Sequence, residues 1–164
     1  MKSFYIKQKV FSLKDRYTIY DENQNSLYYC EGKMFSISGI KKLYRHDGKF
    51  LFTMKRKIFS LLPTYYLVNQ QEQIIATIHK KWTFLTAKLA IESDYGDFHI
   101  HGDWASHHFD IFQQDERIAQ FSKKWISWGD TYEITIEKEE LLEFLLALVI
   151  LIDDCIHNSH DQNN

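Results

Sequence analysis

Glu137-Lys138-Glu139-Glu140-Leu141-Leu142-Glu143-Phe144-Leu145-Leu146-Ala147-Leu148-Val149-Ile150-Leu151-Ile152 decides how the rest of the chain must fold. Eleven of its last twelve residues are apolar. The length favours a helix over a strand. Acidic residues at its start suit a helix amino terminus, where the dipole is positive. A helix apolar on every side must be surrounded on every side. The longest unbroken apolar run, Phe144 to Ile152, is nine residues, whereas a membrane-spanning helix needs about 20. The expectation is a central helix at about 139–157, wrapped by protein, with a polar tail at 159–164.

Working back from the helix, the first 136 residues read as short strands rich in Ile, Val, Tyr and Phe, separated by polar turns. Tyr17–Tyr20 meets Leu27–Cys30, Leu43-Tyr44 meets Phe50–Phe52 across an Asp47-Gly48 turn, and Leu89–Ile91 meets Phe98–Ile100. Asp-Gly is a strong hairpin signal because it tolerates positive φ. Trp125-Ile126 is expected to meet Tyr132–Ile134 across Ser127–Thr131, and Pro63 to lie at a strand start or in a connection. Residues 66–82 align without gaps on 109–125, with seven of 17 positions identical: Gln70/Gln113, Gln71/Gln114, Ile75/Ile118, Ala76/Ala119, Lys80/Lys123, Lys81/Lys124 and Trp82/Trp125. Repeated hairpins that cannot bury a face alone point to radial or barrel-like assembly. The chain is therefore read as one mostly β domain, 1–158: a closed antiparallel barrel of about 12 strands around one central C-terminal hydrophobic helix.

Bulk composition narrows function by exclusion. Twenty Lys and Arg against 22 Asp and Glu leave a net charge of −2 over 164 residues, which argues against a dedicated nucleic-acid binder. Cys30 and Cys155 cannot build a disulfide scaffold. The start, Met1–Gln8, lacks the apolar stretch of a signal peptide. A cytoplasmic location with both thiols free is expected. No Gly-x-Ser-x-Gly, glycine-rich phosphate loop or His-Glu-x-x-His is present, and no cofactor is expected.

Gly102-Asp103-Trp104, Phe109-Asp110-Ile111, Ile118-Ala119, Lys123-Lys124-Trp125, Ser127–Glu133 and Leu148–Asp153 resemble the LURP-one-related proteins in their bacterial form. Leu61-Leu62-Pro63-Thr64-Tyr65 adds to the likeness. The resemblance implies a 12-stranded barrel around a central helix, shared with the Tubby carboxy-terminal domain and with phospholipid scramblases. Phosphoinositide binding in Tubby relatives and lipid association in scramblases are the activities it brings by analogy. No position here matches the scramblase calcium loop.

Three constellations are candidates for function. Residues 41–57 carry Lys41, Lys42, Arg45, Lys49, Lys55, Arg56 and Lys57 against Asp47. Within it, Lys41, Lys42, Arg45, Lys55, Arg56 and Lys57 form the candidate anion site, suited to phospholipid headgroups at a membrane surface. An equally acidic run, 137–164, sets seven carboxylates against Lys138. The repeat lysines Lys80, Lys81, Lys123 and Lys124 form a second candidate, against the plainer reading that each tryptophan packs while its lysines are solvated. His99 and His101 share a strand face, which would suit a transition metal. Asp153 and Asp154, following nine apolar residues, read as solvated where the helix leaves the barrel, against a sharper alternative in which Asp153 meets a lysine or arginine of the barrel rim and fixes helix insertion. The leading reading is a non-enzymatic barrel binding an anionic phospholipid headgroup or a protein partner. The alternatives are a carrier of an apolar ligand in the barrel interior and a metal-dependent enzyme using His99 and His101.

Overall fold

The computed structural model describes residues 1–8, 15–32, 39–57, 64–81, 88–103, 108–126 and 129–160. Pro63, Trp82, His107 and the tail beyond residue 160 lie outside them.

Twelve strands follow one another: β1 (Lys2–Gln8), β2 (Asp15–Asp21), β3 (Ser26–Gly32), β4 (Lys41–Arg45), β5 (Phe50–Arg56), β6 (Thr64–Val68), β7 (Ile74–Lys81), β8 (Lys88–Ser93), β9 (Phe98–Asp103), β10 (His108–Gln113), β11 (Glu116–Ile126) and β12 (Gly129–Ile136). Each pairs antiparallel with its sequence neighbours, and β1 closes the barrel on β12, with Phe4 opposite Ile134. A 3-10 turn, Glu139–Leu141, leads into α1 (Leu142–His160). The helix thus begins three residues later than the apolar pattern suggests, because the acidic lead-in is taken up by the tighter turn.

The core lies between sheet and helix. Phe144 through Ile152 are consecutive and all buried, so this stretch of the helix has no outward face. Alternate residues of the strands point at it, Ile19, Leu43, Met54, Leu67, Ile78, Ile91, Ile111 and Ile134 among them. Each such side chain contributes about 1.5–3 kcal/mol of burial.

Because the strands run up and down, their connections divide between two ends. Five tight turns gather where α1 enters, and each contains one residue at positive φ: Gln24, Gly48, Glu72, Gly96 and Gln114. Just beyond four of these turns the returning strand carries one extra residue: Leu27, Leu51, Ile75 and Ile118. Such bulges sharpen the local twist. They also explain the internal repeat. Ile75-Ala76 and Ile118-Ala119 are buried at consecutive positions, which regular alternation forbids and a bulge permits. The β11–β12 connection is shorter than expected: Trp125 faces Asp130, and Tyr132 faces Lys123.

Candidate functional site

The two ends of the barrel carry opposite charge. At the end where α1 leaves, the described strand ends and the adjoining chain hold eleven cations: Arg16, Lys41, Lys42, Lys55, Arg56, Lys57, Lys80, Lys81, Lys88, Lys123 and Lys124. Six carboxylates share that end, two of them, Asp153 and Asp154, on the helix. At the entry end six cations (Lys2, Lys7, whose Nζ donates to Gln24 Oε1 at 2.6 Å, Arg45, Lys49, Arg117 and Lys138) face thirteen carboxylates, most of them in the turns and the approach to α1. Antiparallel alternation causes this sorting, since each basic strand end is followed or preceded by a connection on the same side.

This arrangement joins the two sets of candidate lysines. Lys42, Lys55 and Lys57 lie at the same end as Lys80, Lys81, Lys123 and Lys124, although up to 82 positions separate them in the chain. For Lys80, Lys81 and Lys124 only the strand position is described. Lys57 is exposed, Lys42 is exposed with its ammonium 5.9 Å from the Phe50 ring, and Lys55 and Arg56 are half-buried. Lys123 lies 5.9 Å from the Tyr132 ring.

Two candidates stand apart. Lys41 is 2% exposed, and its Nζ donates to Asp154 Oδ1 and lies 3.5 Å from the Tyr17 hydroxyl. Gly32 lies opposite Lys41, and any Cβ there would press on the Lys41 stem. Burial alone would lower the affinity of this amine for its proton. Asp154 and then Tyr17 outweigh that, and the ammonium is held above its ordinary range. Burial likewise pushes Tyr17 and the Cys30 thiol up to about 12 each. Arg45 lies at the opposite end, with Nε 2.5 Å from Glu143 Oε1. The basic run 41–57 and the acidic helical run are thus partly each other's partners. A rim contact of the kind raised for Asp153 is made by Asp154, and neither carboxylate stands in open solvent as the plainer reading had it. Asp153 is also buried, in a wall formed with Ile6, Tyr17, Tyr132, Val149 and Ile150.

Among the described residues the interior is closely packed around α1. The space beside those residues amounts to about 10 Å³, at or below what one water needs. His99 and His101 do share a face, with ring centroids 5.0 Å apart and His99 stacked on Phe112. No group of three metal-binding side chains gathers among the described residues.

Two openings lined by described residues lie at the entry end. One, of about 330 Å³, lies between Lys2, Asp21, Glu22 and Leu142. The other, about 400 Å³, is walled by Tyr28, Phe52, Tyr95 and Phe144 and edged by Arg45, Glu139, Glu140 and Glu143. Burial raises the Tyr28 hydroxyl, with Glu143 adding to the effect. Sequence reasoning passed over this cleft. The available signal was Tyr95, a large aromatic inside the polar turn Ser93–Asp97.

Comparison with known proteins agrees with this architecture. The pattern of the LURP-one-related (LOR) family matches residues 2–153. YxjI of Bacillus subtilis (strain 168) is 31% identical over 163 residues, covering 99% of both chains. The X-ray structure of an Arabidopsis thaliana protein superimposes with a TM-score of 0.60 at 15% identity, covering 93% of this chain and 91% of that one. That last likeness is one of fold. The chain belongs to the LURP-one-related family.

Proposed function

We propose that this LURP-one-related barrel is a non-catalytic binding domain whose helix-exit end docks on an anionic phospholipid surface. One observation carries the reading: eleven of the described cations gather at that end against six carboxylates, and once the buried Lys41–Asp154 pair is set aside ten face five. Basic residues near such a surface contribute about 1 kcal/mol each, and salt screens them. The contact proposed is peripheral; no helix among the described residues is long and apolar enough to cross a membrane. Cys30 and Cys155 are free and buried, which supports placement on a cytoplasmic face. Phe144–Ile152 of α1 are buried within the described barrel, so the apolar-carrier reading needs α1 to withdraw.

Flotation with phosphatidylcholine vesicles, with and without phosphatidylserine, tests the proposal. Binding is expected only with the anionic lipid, weakening as salt is raised. It should be lost in the triple variant Lys42→Glu/Lys55→Glu/Lys57→Glu, whose positions are outside the core. Equal recovery on neutral and anionic vesicles removes the reading.

A further inference from the structure

We infer that the 400 Å³ cleft beside the helix entry is a second binding site, which takes an arginine or lysine side chain from a basic segment of a partner protein. It lies at the opposite end from the lipid-docking surface and does not depend on it.

The walls suit a cation. Tyr95 is 45% exposed, yet its ring is packed at 4.7 Å from Phe144, which in turn lies 5.4 Å from Phe98. An exposed aromatic is normally mobile. This one is held by its own turn: Ser93 Oγ donates to the Gly96 carbonyl, Tyr95 N–H donates to Ser93 Oγ, and Gln113 Nε2 donates to the Tyr95 carbonyl, at 2.7, 3.1 and 2.8 Å. Gly96, at φ +102°, makes the turn possible. A fixed ring loses little freedom when a ligand arrives. Aromatic faces attract guanidinium and ammonium groups, more strongly when water is partly excluded.

Local charge selects a cation over a neutral group. Arg45, on the edge of the cleft, is committed to Glu143, while Glu139 holds Lys2 and the amino terminus. Glu140 is exposed and has no ion pair or hydrogen bond with the described residues. With six cations against thirteen carboxylates at this end, the field draws positive charge inward before contact. A basic protein segment meets both demands, charge for the rim and a flat or compact cation for the rings.

The test is nuclear magnetic resonance titration of the whole labelled chain with a blocked pentapeptide bearing two arginines. Its counterpart, with glutamine at both places, is the control. Saturable shifts at Tyr95, Gly96 and Glu140–Phe144 are expected with the arginine peptide alone. Tyr95→Ala and Glu140→Lys should each weaken binding about tenfold. Both should melt as the parent does and float on anionic vesicles as it does, which separates this site from the lipid-docking end. Shifts that never saturate, or an affinity unchanged from the parent in both variants, overturn the proposal. So does self-association in sedimentation that Glu140→Lys abolishes, which would give the cleft to a second copy of the chain.

Discussion

The ammonium of Lys41 on β4 sits buried against the carboxylate of Asp154 on α1. Four residues further along the same strand, Arg45 holds Glu143 near the start of the helix. Four strand residues span about 13 Å and eleven helical residues about 16 Å. The reach of the long basic side chains covers the difference. One strand therefore fixes both the depth and the rotation of the central helix.

The two contacts should differ sharply in strength. Lys41→Met or Asp154→Asn leaves a charge buried without its partner, which costs about 3–5 kcal/mol. The lower figure is expected, since Asp154 keeps 15% exposure. Lys41→Met/Asp154→Leu should recover most of that loss. Arg45→Met, at a site 44% exposed, should cost no more than about 1 kcal/mol. Urea unfolding of the four variants checks this, and equal losses for Lys41→Met and Arg45→Met would contradict it.

Alkaline pH should destabilise the barrel from its exit end. Cys30 and Tyr17 ordinarily lose their protons near 9.0 and 10.0, and in the fold each is raised to about 12. Lys41 is raised as well. The native state thus binds these protons more tightly than the unfolded chain. The stabilisation is complete below pH 9 and is lost as pH rises towards 12. Melting temperature should be level from neutrality to about pH 8.5 and fall above pH 9. Cys30→Ala should delay the start of that fall towards pH 10. A flat profile up to pH 11 would disprove the linkage.

Gly102→Ala should be among the most damaging single-methyl changes. A Cβ at Gly102 would overlap the His108 carbonyl oxygen and the Phe109 Cα across the β9–β10 pair. Those atoms are backbone and cannot rotate away. Loss of folded protein is expected by circular dichroism, whereas Gly48→Ala, in open space but at φ +87°, should cost only about 1–2 kcal/mol.

Glu72 and Gln114 sit at φ +61° and +55° in exposed turns, where side-chain-bearing residues are disfavoured by roughly 1–2 kcal/mol. Glu72→Gly and Gln114→Gly should each raise stability by up to about 1 kcal/mol after the added flexibility of the unfolded chain is set against the relief. Thermal melts of the two variants and their combination test this; a loss in both would show that the native side chains stabilise the turns.

Much of the fold was legible because it depends on local periodicity. Nine consecutive apolar residues in Phe144–Ile152 demand enclosure, and alternating strands joined by Asp47-Gly48 or Gln70–Gln73 supply it. The repeat at Ile75-Ala76 and Ile118-Ala119 was visible as a repeat, but its cause, a bulge that turns two neighbours inward, was not. The cleft at Tyr95 was invisible for a different reason: its walls come from β3, β5, the β8–β9 turn and α1, and no sequence spacing links them.

The sequence by itself determined a barrel, its approximate strand number and the helix within it, since hydrophobic patterning reports which face of each element is covered. It also showed equal and opposite charge runs at 41–57 and 137–164. Only the tertiary structure decided that Lys41 and Arg45 pair with those helical acids, and that Asp154, one step of about 100° around the helix from Asp153, makes the contact with Lys41. Closure of the antiparallel sheet decided the rest. It sends alternate connections to opposite ends, so a chain of net charge −2 becomes a molecule with one basic pole and one acidic pole.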